Sequence, residues 1–168
     1  MADRYPIRSE TPPEPAALRP LFRVVLAVLA LLEEASFSDP WTSTMIADAL
    51  AARGAVALVA AGAGERIVGS VLGRRVADEA EILTIAVDPA LRGEGLGRRL
   101  LAEAVARLAA AGATTVWLEV RPSNLAARRM YQAAGFVATG VRRGYYRRPT
   151  EDALILSLRI ASASAGEG

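Results

Sequence analysis

The chain has 168 residues, of which 18 are acidic and 20 basic, and its formal net charge is +2. Every basic residue is an arginine, and the sequence contains no cysteine, histidine or lysine. This composition excludes disulfides, Cys–His and Ser–His–Asp triads, His-based zinc sites and any lysine-dependent phosphate loop or Schiff base. An enzyme with this composition has carboxylates, phenols and hydroxyls for its proton transfers.

The length and the apolar fraction of 52% fit one globular domain. Residues 1–16, with four prolines, suggest a flexible proline-rich lead-in, residues 17–160 a single domain and residues 161–168 a disordered tail. The longest uninterrupted apolar run, Val24–Leu32, has nine residues, whereas a membrane-spanning helix needs about 20. We therefore expect a cytoplasmic protein that does not use a membrane.

Hydrophobic periodicity predicts a mixed α/β domain in which a strand meander comes first and helices then cross between strands. Two helices are expected, at Leu18–Ala35 and from a cap at Thr42 or Ser43 to about Ala52. Strands at 55–60, 66–76 and 80–87, joined by short loops, indicate an antiparallel meander. In the second half, a helix is expected to begin at Leu96 and to end at Gly112, and a strand should follow at 114–121. A further helix is expected to begin with a cap at Ser123 or Asn124 and to end at Gly135. Two strands, at 136–142 and 153–159, complete the prediction.

A glycine-rich turn, Arg92-Gly-Glu-Gly-Leu-Gly97, leads from a strand end at Asp88-Pro89 into the next helix. Glycine lets backbone N–H groups approach a ligand closely, and a helix N-terminus attracts anions. The turn therefore suits a pyrophosphate, with Arg92 and Arg98 as additional charge. The alternative is a tight turn that only packs a helix on the sheet. A dinucleotide-binding site is disfavoured because several strands precede the turn.

Arginine is concentrated in the second half, where 12 arginines and five acids lie between Arg92 and Arg159. Such an excess of positive charge suits a polyanionic ligand or an acidic surface. The alternative is a solvated arginine face without a ligand.

Several further motifs occur in one order with the glycine turn, and together they resemble the GNAT acyltransferase superfamily. They match its branch of bacterial ribosomal-protein-alanine N-acetyltransferases, the RimI type, over roughly residues 33–158. The motifs are Asp39-Pro-Trp41, Ile85-Ala-Val-Asp-Pro89, Leu118-Glu-Val-Arg-Pro-Ser-Asn124, Met130-Tyr-Gln-Ala-Ala-Gly-Phe136, Arg143-Gly-Tyr-Tyr146 and Glu151-Asp-Ala-Leu154. The resemblance implies a mostly antiparallel mixed sheet splayed into a V with flanking helices, acetyl-CoA as co-substrate and no metal.

The resemblance also implies which residues bind acetyl-CoA and which transfer protons. The Val87 N–H would bind the thioester oxygen, and the pantetheine arm would pair with the same strand. Glu119 would be the general base, acting directly or through a water molecule, and Tyr131 would protonate the departing thiolate. The implied cofactor-binding set is Ile85, Ala86, Val87, Arg92, Gly93, Glu94, Gly95, Leu96, Gly97, Arg98, Asn124 and Arg128.

Each catalytic assignment has a structural alternative. By strand alternation Trp117, Glu119 and Arg121 share one face, so Glu119 could be a surface acid paired with Arg121. Tyr131, on one helical stripe with Asn124 and Arg128, could be a core aromatic next to Phe136.

The acceptor is expected to be a primary amine, in particular the N-terminal alanine of a ribosomal protein. Tyr145 and Tyr146 are expected in a loop before the final strand and would contact the acceptor peptide, although aromatics among arginines can also bind RNA. Direct nucleic-acid binding is not expected, and the protein should be a monomer or weak dimer. The helix at 18–35 is more apolar than this branch leads us to expect, which would alter the acceptor groove or allow dimerisation. The functional alternatives are transfer to a small-molecule amine or a lysine side chain, and a non-catalytic acetyl-CoA sensor.

Overall fold

The computed structural model describes residues 5–9 and 19–160. The described part of the chain forms seven strands and four helices, with single turns of 3-10 helix at Ala63–Glu65 and Pro89–Leu91. In chain order the elements are β1 (Ile7–Ser9), α1 (Arg19–Ser36), α2 (Ser43–Ala51), β2 (Ala55–Ala61), β3 (Ile67–Val76), β4 (Glu79–Val87), α3 (Leu96–Ala110), β5 (Thr115–Val120), α4 (Leu125–Ala133), β6 (Val137–Arg147) and β7 (Thr150–Arg159).

The strands form one sheet in the order β1-β2-β3-β4-β5-β7-β6. Strands β1 to β4 are antiparallel neighbours, which confirms the predicted meander. The α3 crossover returns the chain in the same direction, so β5 pairs parallel with β4, and the remaining pairs are antiparallel. The predicted mixed sheet with flanking helices is thus confirmed.

The two central strands separate after a short stretch of pairing. β4 and β5 pair over only four residues each, from Glu79 with Thr115 to Ile82 with Leu118. Directly after this stretch β4 contains a bulge: Ile82 and Thr84 pair with consecutive residues of β3, which leaves Leu83 as the extra residue. The rest of β4, residues 83–87, runs away from β5 and forms one arm of a V. We call these five residues the β4 arm.

Helices cover the two faces of the sheet unequally. On one face, α3 and α4 pack over a core that extends across β2 to β7. On the other face, α1 and α2 pack on β2, β3 and β4 and form a smaller cluster. β5 therefore turns its even-numbered residues 116, 118 and 120 toward α3 and α4 and its odd-numbered residues toward the opposite face.

Short-range signals predicted most helix ends. The Thr42 hydroxyl accepts the Met45 N–H at 3.3 Å and caps α2, and the Asn124 carboxamide caps α4. Gly112 and Gly135, with φ of +98° and +90°, follow the ends of α3 and α4. A left-handed residue after a helix favours glycine, because any β-carbon there is strained.

Two sequence expectations differ from the structure. Ile7–Ser9, inside the expected lead-in, form β1 and pair with β2. The prediction of a loop at Tyr145 and Tyr146 is wrong, because β6 continues to Arg147, pairs with the start of β7 and contains an irregularity before Tyr146. Residues 1–4, 10–18 and 161–168, on which most of the expected lead-in and tail fall, lie outside the described residues, and that domain division stays a prediction.

Candidate active site

The β4 arm presents backbone groups to the interior of the V. The Asp88 N–H donates to the Val68 carbonyl of β3 at 2.9 Å. Because backbone groups of successive strand residues point to opposite sides, the Val87 N–H points away from β3 and into the V. Pairing with β5 has already ended at Ile82. The predicted contact segment, Ile85, Ala86 and Val87, therefore fits a ligand that hydrogen-bonds like an added strand.

The glycine turn at the start of α3 is open to a ligand. Gly93 and Gly95 have φ of +85° and +82°, and Gly95 is the N-cap residue of α3 without a side-chain cap. A β-carbon at Gly93 would meet nothing within 4 Å, so the turn is exposed rather than packed. The first N–H groups of α3 thus remain available to an anion. The geometry of the turn suits a pyrophosphate group, and that role stays a prediction.

The other residues predicted in the turn have different surroundings. Arg98 lies over the turn, with a guanidinium nitrogen 3.2 Å from where a β-carbon of Gly95 would be. Arg92 instead donates to carbonyl oxygens at the ends of β4 and α1, at 3.4 and 3.5 Å. Leu96 is buried, so only its backbone can reach a ligand, and Glu94 accepts a hydrogen bond from a tyrosine hydroxyl near β1. Arg98 is therefore the better placed of the two arginines.

Helix α4 lies beside the turn and the β4 arm. A β-carbon at Gly97 would be 3.3 Å from the Met130 sulfur of α4 and 3.6 Å from a Val87 methyl group. These contacts bring α3, α4 and the β4 arm to one place. Of the predicted α4 stripe, Asn124 uses its side-chain oxygen to cap the helix, and Arg128 donates to a backbone carbonyl at 2.9 Å.

Tyr131 is a buried phenol on the same helix. It is 8% exposed and packs edge-to-face on Phe136, with ring centroids 5.9 Å apart. Burial raises the pKa of Tyr131 well above its ordinary value, and the neighbouring Tyr146 raises it further. The phenol is therefore protonated across the neutral pH range. The core position proposed as the alternative is observed, and the proton-donor role stays a prediction.

Glu119 lies mid-strand on β5, on the sheet face opposite α3 and α4. Its carboxylate accepts a hydrogen bond from Arg142 of β6 at 2.7 Å, and its side chain is 16% exposed against 60% for Arg142. The proposed pairing with Arg121 is wrong, because the Arg121 guanidinium turns to β7 and contacts Glu151 at 3.3 Å. Glu119 thus bonds to a cation that is largely exposed to solvent.

Tyr145 and Tyr146 flank Glu119 from β6. Their ring centroids are 5.0 Å apart, and Arg142 and Arg121 stack over Tyr145 and Tyr146 at 4.8 and 4.0 Å. Burial raises the pKa of Tyr145, and a hydrogen bond to Glu119 raises it further. Burial, followed by the charge of Glu119, raises the pKa of Tyr146 to about 12. The charge of Glu119 thus affects Tyr146, and Tyr146 affects Tyr131, although Tyr131 belongs to the core on the α3 and α4 side and Glu119 lies on the opposite face.

Sequence reasoning missed the residues that hold this part of β6 in place. Arg121 donates to the carbonyl oxygens of Arg148 and Pro149, each at 3.0 Å, in the β6–β7 turn. Glu151 accepts the Ser123 N–H at 2.7 Å and the Ser123 hydroxyl at 2.8 Å. These two bonds and the nearby Arg121 lower the pKa of Glu151. The turn is thereby attached to the start of α4.

An open pocket of about 330 Å³ adjoins Glu119 on the face that α1 and α2 leave uncovered. Trp117, Glu119 and Ile155 form part of its wall, together with Glu81 and Arg74, which pair at 2.9 Å. The pocket thus extends from Glu119 along the stretch where β4 and β5 pair. No helix within residues 5–9 and 19–160 is long and apolar enough to cross a membrane.

Comparison with known proteins gives consistent matches. The profile of the acetyltransferase (GNAT) family matches residues 26–136. The [ribosomal protein bS18]-alanine N-acetyltransferase of Salmonella typhimurium is 43% identical over 103 residues, 59% of this chain and 68% of the relative. The N-alpha-acetyltransferase RimI of Mycobacterium tuberculosis is 40% identical over 146 residues, 83% of this chain and 90% of the relative. The crystal structure of the ribosomal-protein-S18-alanine N-acetyltransferase from Escherichia coli superimposes with a TM-score of 0.81 at 30% identity and covers 98% of this chain and 99% of that one.

Proposed function

The chain belongs to the GNAT acetyltransferase family, and we propose that it transfers the acetyl group of acetyl-CoA to the N-terminal alanine of a ribosomal protein. The observation that carries this proposal is the position of Glu119, which directly follows Leu118, the last residue of β5 that pairs with β4. The candidate proton acceptor therefore lies where the V opens. We further infer that the reaction takes place in the cytoplasm, where ribosomal proteins are made.

Direct transfer needs one proton acceptor, one proton donor and one carbonyl-polarising group. Glu119 takes a proton from the acceptor ammonium, and the free amine nitrogen attacks the thioester carbon. The Val87 N–H hydrogen-bonds the thioester oxygen as negative charge develops on it. The C–S bond then breaks with its electron pair on sulfur, and the Tyr131 hydroxyl protonates the thiolate. The proton that the nitrogen loses as the amide forms restores the phenol, and Glu119 releases its proton to solvent.

The surroundings of Glu119 support a peptide N-terminus as acceptor. Arg142, the cation now bonded to Glu119, is 60% exposed, so an acceptor ammonium can take its place on the carboxylate. Tyr145 and Tyr146 lie beside that position, and displacement of Arg142 would uncover the face of the Tyr145 ring over which it stacks, a surface that suits a peptide. The named activities of the relatives from Salmonella typhimurium and Escherichia coli support alanine as the first residue.

Mass spectrometry of acetylated products tests the proposal. The purified protein would be incubated with acetyl-CoA and peptides that begin with alanine, methionine or serine, with an N-blocked lysine peptide and spermidine as competing acceptors. We expect the acetyl group on the free alanine N-terminus. Modification of only the lysine peptide or spermidine would overturn the acceptor assignment and favour a different amine. Tight binding of acetyl-CoA without any transfer would favour a sensor.

Two variants and a matched control test the residue roles. Glu119→Gln and Tyr131→Phe are each expected to lower kcat by about 10² to 10⁴, the usual contribution of general acid–base catalysis. Glu103→Gln makes the same acid-to-amide change in an exposed ion pair of α3 and should leave kcat unchanged. Wild-type turnover in both site variants would contradict the assigned roles.

A further inference from the structure

The last turns of α1 contact the β4 arm at two points. Glu33 is 2% exposed, and its Oε1 accepts the Thr84 hydroxyl at 2.6 Å. One turn later, the Ser36 hydroxyl donates to the Val87 carbonyl at 3.3 Å. Residues three apart in a helix lie on the same face, so one face of α1 contacts both ends of the arm.

The bulge in β4 is what directs Thr84 toward α1. Before the bulge, Ala80 and Ile82 pack in the core under α3. Leu83 packs in the cluster under α1 and α2, and Ile85 lies again on the α3 side. The extra residue shifts the strand alternation by one position, and Thr84 therefore shares the α1 side with Leu83. Without the bulge, the residue after Leu83 would face α3.

The second carboxylate oxygen of Glu33 reaches the loop between α1 and α2, where it accepts the Trp41 N–H at 3.4 Å. Burial raises the pKa of Glu33, whereas the bonds from Thr84 and Trp41 lower it. A carboxyl buried without partners is strongly unfavourable. Here one of its two partners belongs to the β4 arm itself, so the carboxyl links α1 to the arm.

We propose that Glu33 is a positioning residue, which through Thr84 holds the β4 arm at the angle that directs the Val87 N–H to the thioester oxygen. This inference rests on the proposed function. Glu33 is not assigned a proton transfer or a contact with the reacting atoms. Because a donor to a developing oxyanion acts only at hydrogen-bond distance, a loosened arm weakens transition-state stabilisation more than substrate binding.

Thr84→Val tests the link, because valine has nearly the shape of threonine and lacks its hydroxyl. We expect kcat to fall roughly tenfold, less than the loss of a whole oxyanion donor. KM for acetyl-CoA should rise by a smaller factor than kcat falls, because the glycine turn is unchanged and an interaction made only in the transition state lowers kcat selectively. Thr84→Ser, which keeps the hydroxyl, should retain wild-type kcat.

Thr139→Val is the matched control, because it removes a strand hydroxyl that donates to the Ile155 carbonyl at 3.3 Å outside the V. An equal loss of kcat in this control would overturn the proposal in favour of general destabilisation. Glu33→Gln keeps one acceptor oxygen and should lose less activity than Thr84→Val. The losses in kcat of the two single variants should not add in the double variant, because both changes act on the Glu33–Thr84 contact.

Amide hydrogen exchange of residues 84–88 without substrate separates this proposal from the proposed function. Thr84→Val should speed exchange in that segment relative to Thr139→Val, whether or not the protein transfers acetyl groups. Unchanged exchange together with unchanged kcat would overturn the positioning role. If Glu119→Gln and Tyr131→Phe kept full turnover, the proposed catalytic roles would fail, and the exchange result would still report on the Glu33–Thr84 contact.

Discussion

Replacement of Tyr131 by phenylalanine removes one oxygen atom from a buried ring. The side chain is 8% exposed, and its edge-to-face contact with Phe136 at 5.9 Å does not require the hydroxyl. We therefore expect the free energy of unfolding at pH 7 to change by less than about 1.5 kcal/mol, the net value of a typical hydrogen bond. The change should thus affect catalysis far more than stability.

The kinetic consequence follows from the role assigned to the phenol. A missing general acid lowers kcat by about 10² to 10⁴, and the KM values stay near wild type because the proton moves only in the transition state. The released coenzyme A thiol can be measured directly with a thiol-reactive dye, since the chain contains no cysteine to react with it. A kcat within threefold of wild type would refute Tyr131 as the acid.

The same variant has a predictable effect on stability at alkaline pH. Burial raises the pKa of Tyr131 above its ordinary value of 10.0. Stability linked to a raised pKa is fully present below the unfolded-state pKa and is lost as pH rises toward the folded-state pKa. Above about pH 10 this buried phenol should lower the free energy of unfolding by up to about 1.4 kcal/mol per pH unit. Urea unfolding between pH 9 and 11 should show a steeper loss for the wild type than for Tyr131→Phe, and equal slopes would refute a phenol kept protonated by burial.

Two further predictions concern the Glu119 ion pair and the backbone turns. Arg142→Ala should lower the KM for the acceptor, because the guanidinium no longer competes with the acceptor ammonium for Glu119. The expected factor is about twofold to fivefold, the effect of an exposed ion pair. The control variant Arg143→Ala should leave this KM unchanged. A fall in kcat at constant KM would instead indicate that Arg142 positions Glu119. Gly54→Ala and Gly64→Ala both place alanine at positive φ, +80° and +67°, but only the first puts a β-carbon 2.3 Å from a backbone oxygen of β3. Urea unfolding should show that Gly64→Ala lowers the free energy of unfolding by about 1 to 2 kcal/mol. Gly54→Ala should lower it by about 1 to 3 kcal/mol more, and equal losses of stability would contradict the steric argument.

Much of the local structure follows from short-range signals in the sequence. The caps Thr42 and Asn124 and the stops Gly112 and Gly135 act within one helical turn, so they predict helix ends without knowledge of the fold. The open glycine turn before α3 was predicted for the same reason. The motifs also identified the family, because their order and spacing are properties of the chain alone.

A periodic pattern also contained one signal that went unused. Glu33 follows Leu29 by four residues and Ala30 by three, so it falls on the stripe of α1 that is buried in the structure. An acid on an apolar stripe predicts burial with a partner. The partner itself, Thr84, was beyond prediction, because it faces α1 only as a result of the bulge in β4.

The partners of the candidate site depended on strand register, which brings together residues far apart in sequence. Strand alternation correctly placed Glu119 and Arg121 on one face, but the two side chains do not pair with each other. The antiparallel pairing of β6 with β7 brings Arg142 to Glu119, and Arg121 forms its ion pair with Glu151 on β7. The same pairing continues β6 through Tyr146, where turn-rich sequence predicted a loop. Sequence by itself determined the helices, most strands, the glycine turn and the family. Only the tertiary structure decided which charges pair and where the V opens, because a strand's partners and a one-residue bulge depend on long-range packing that no local pattern encodes.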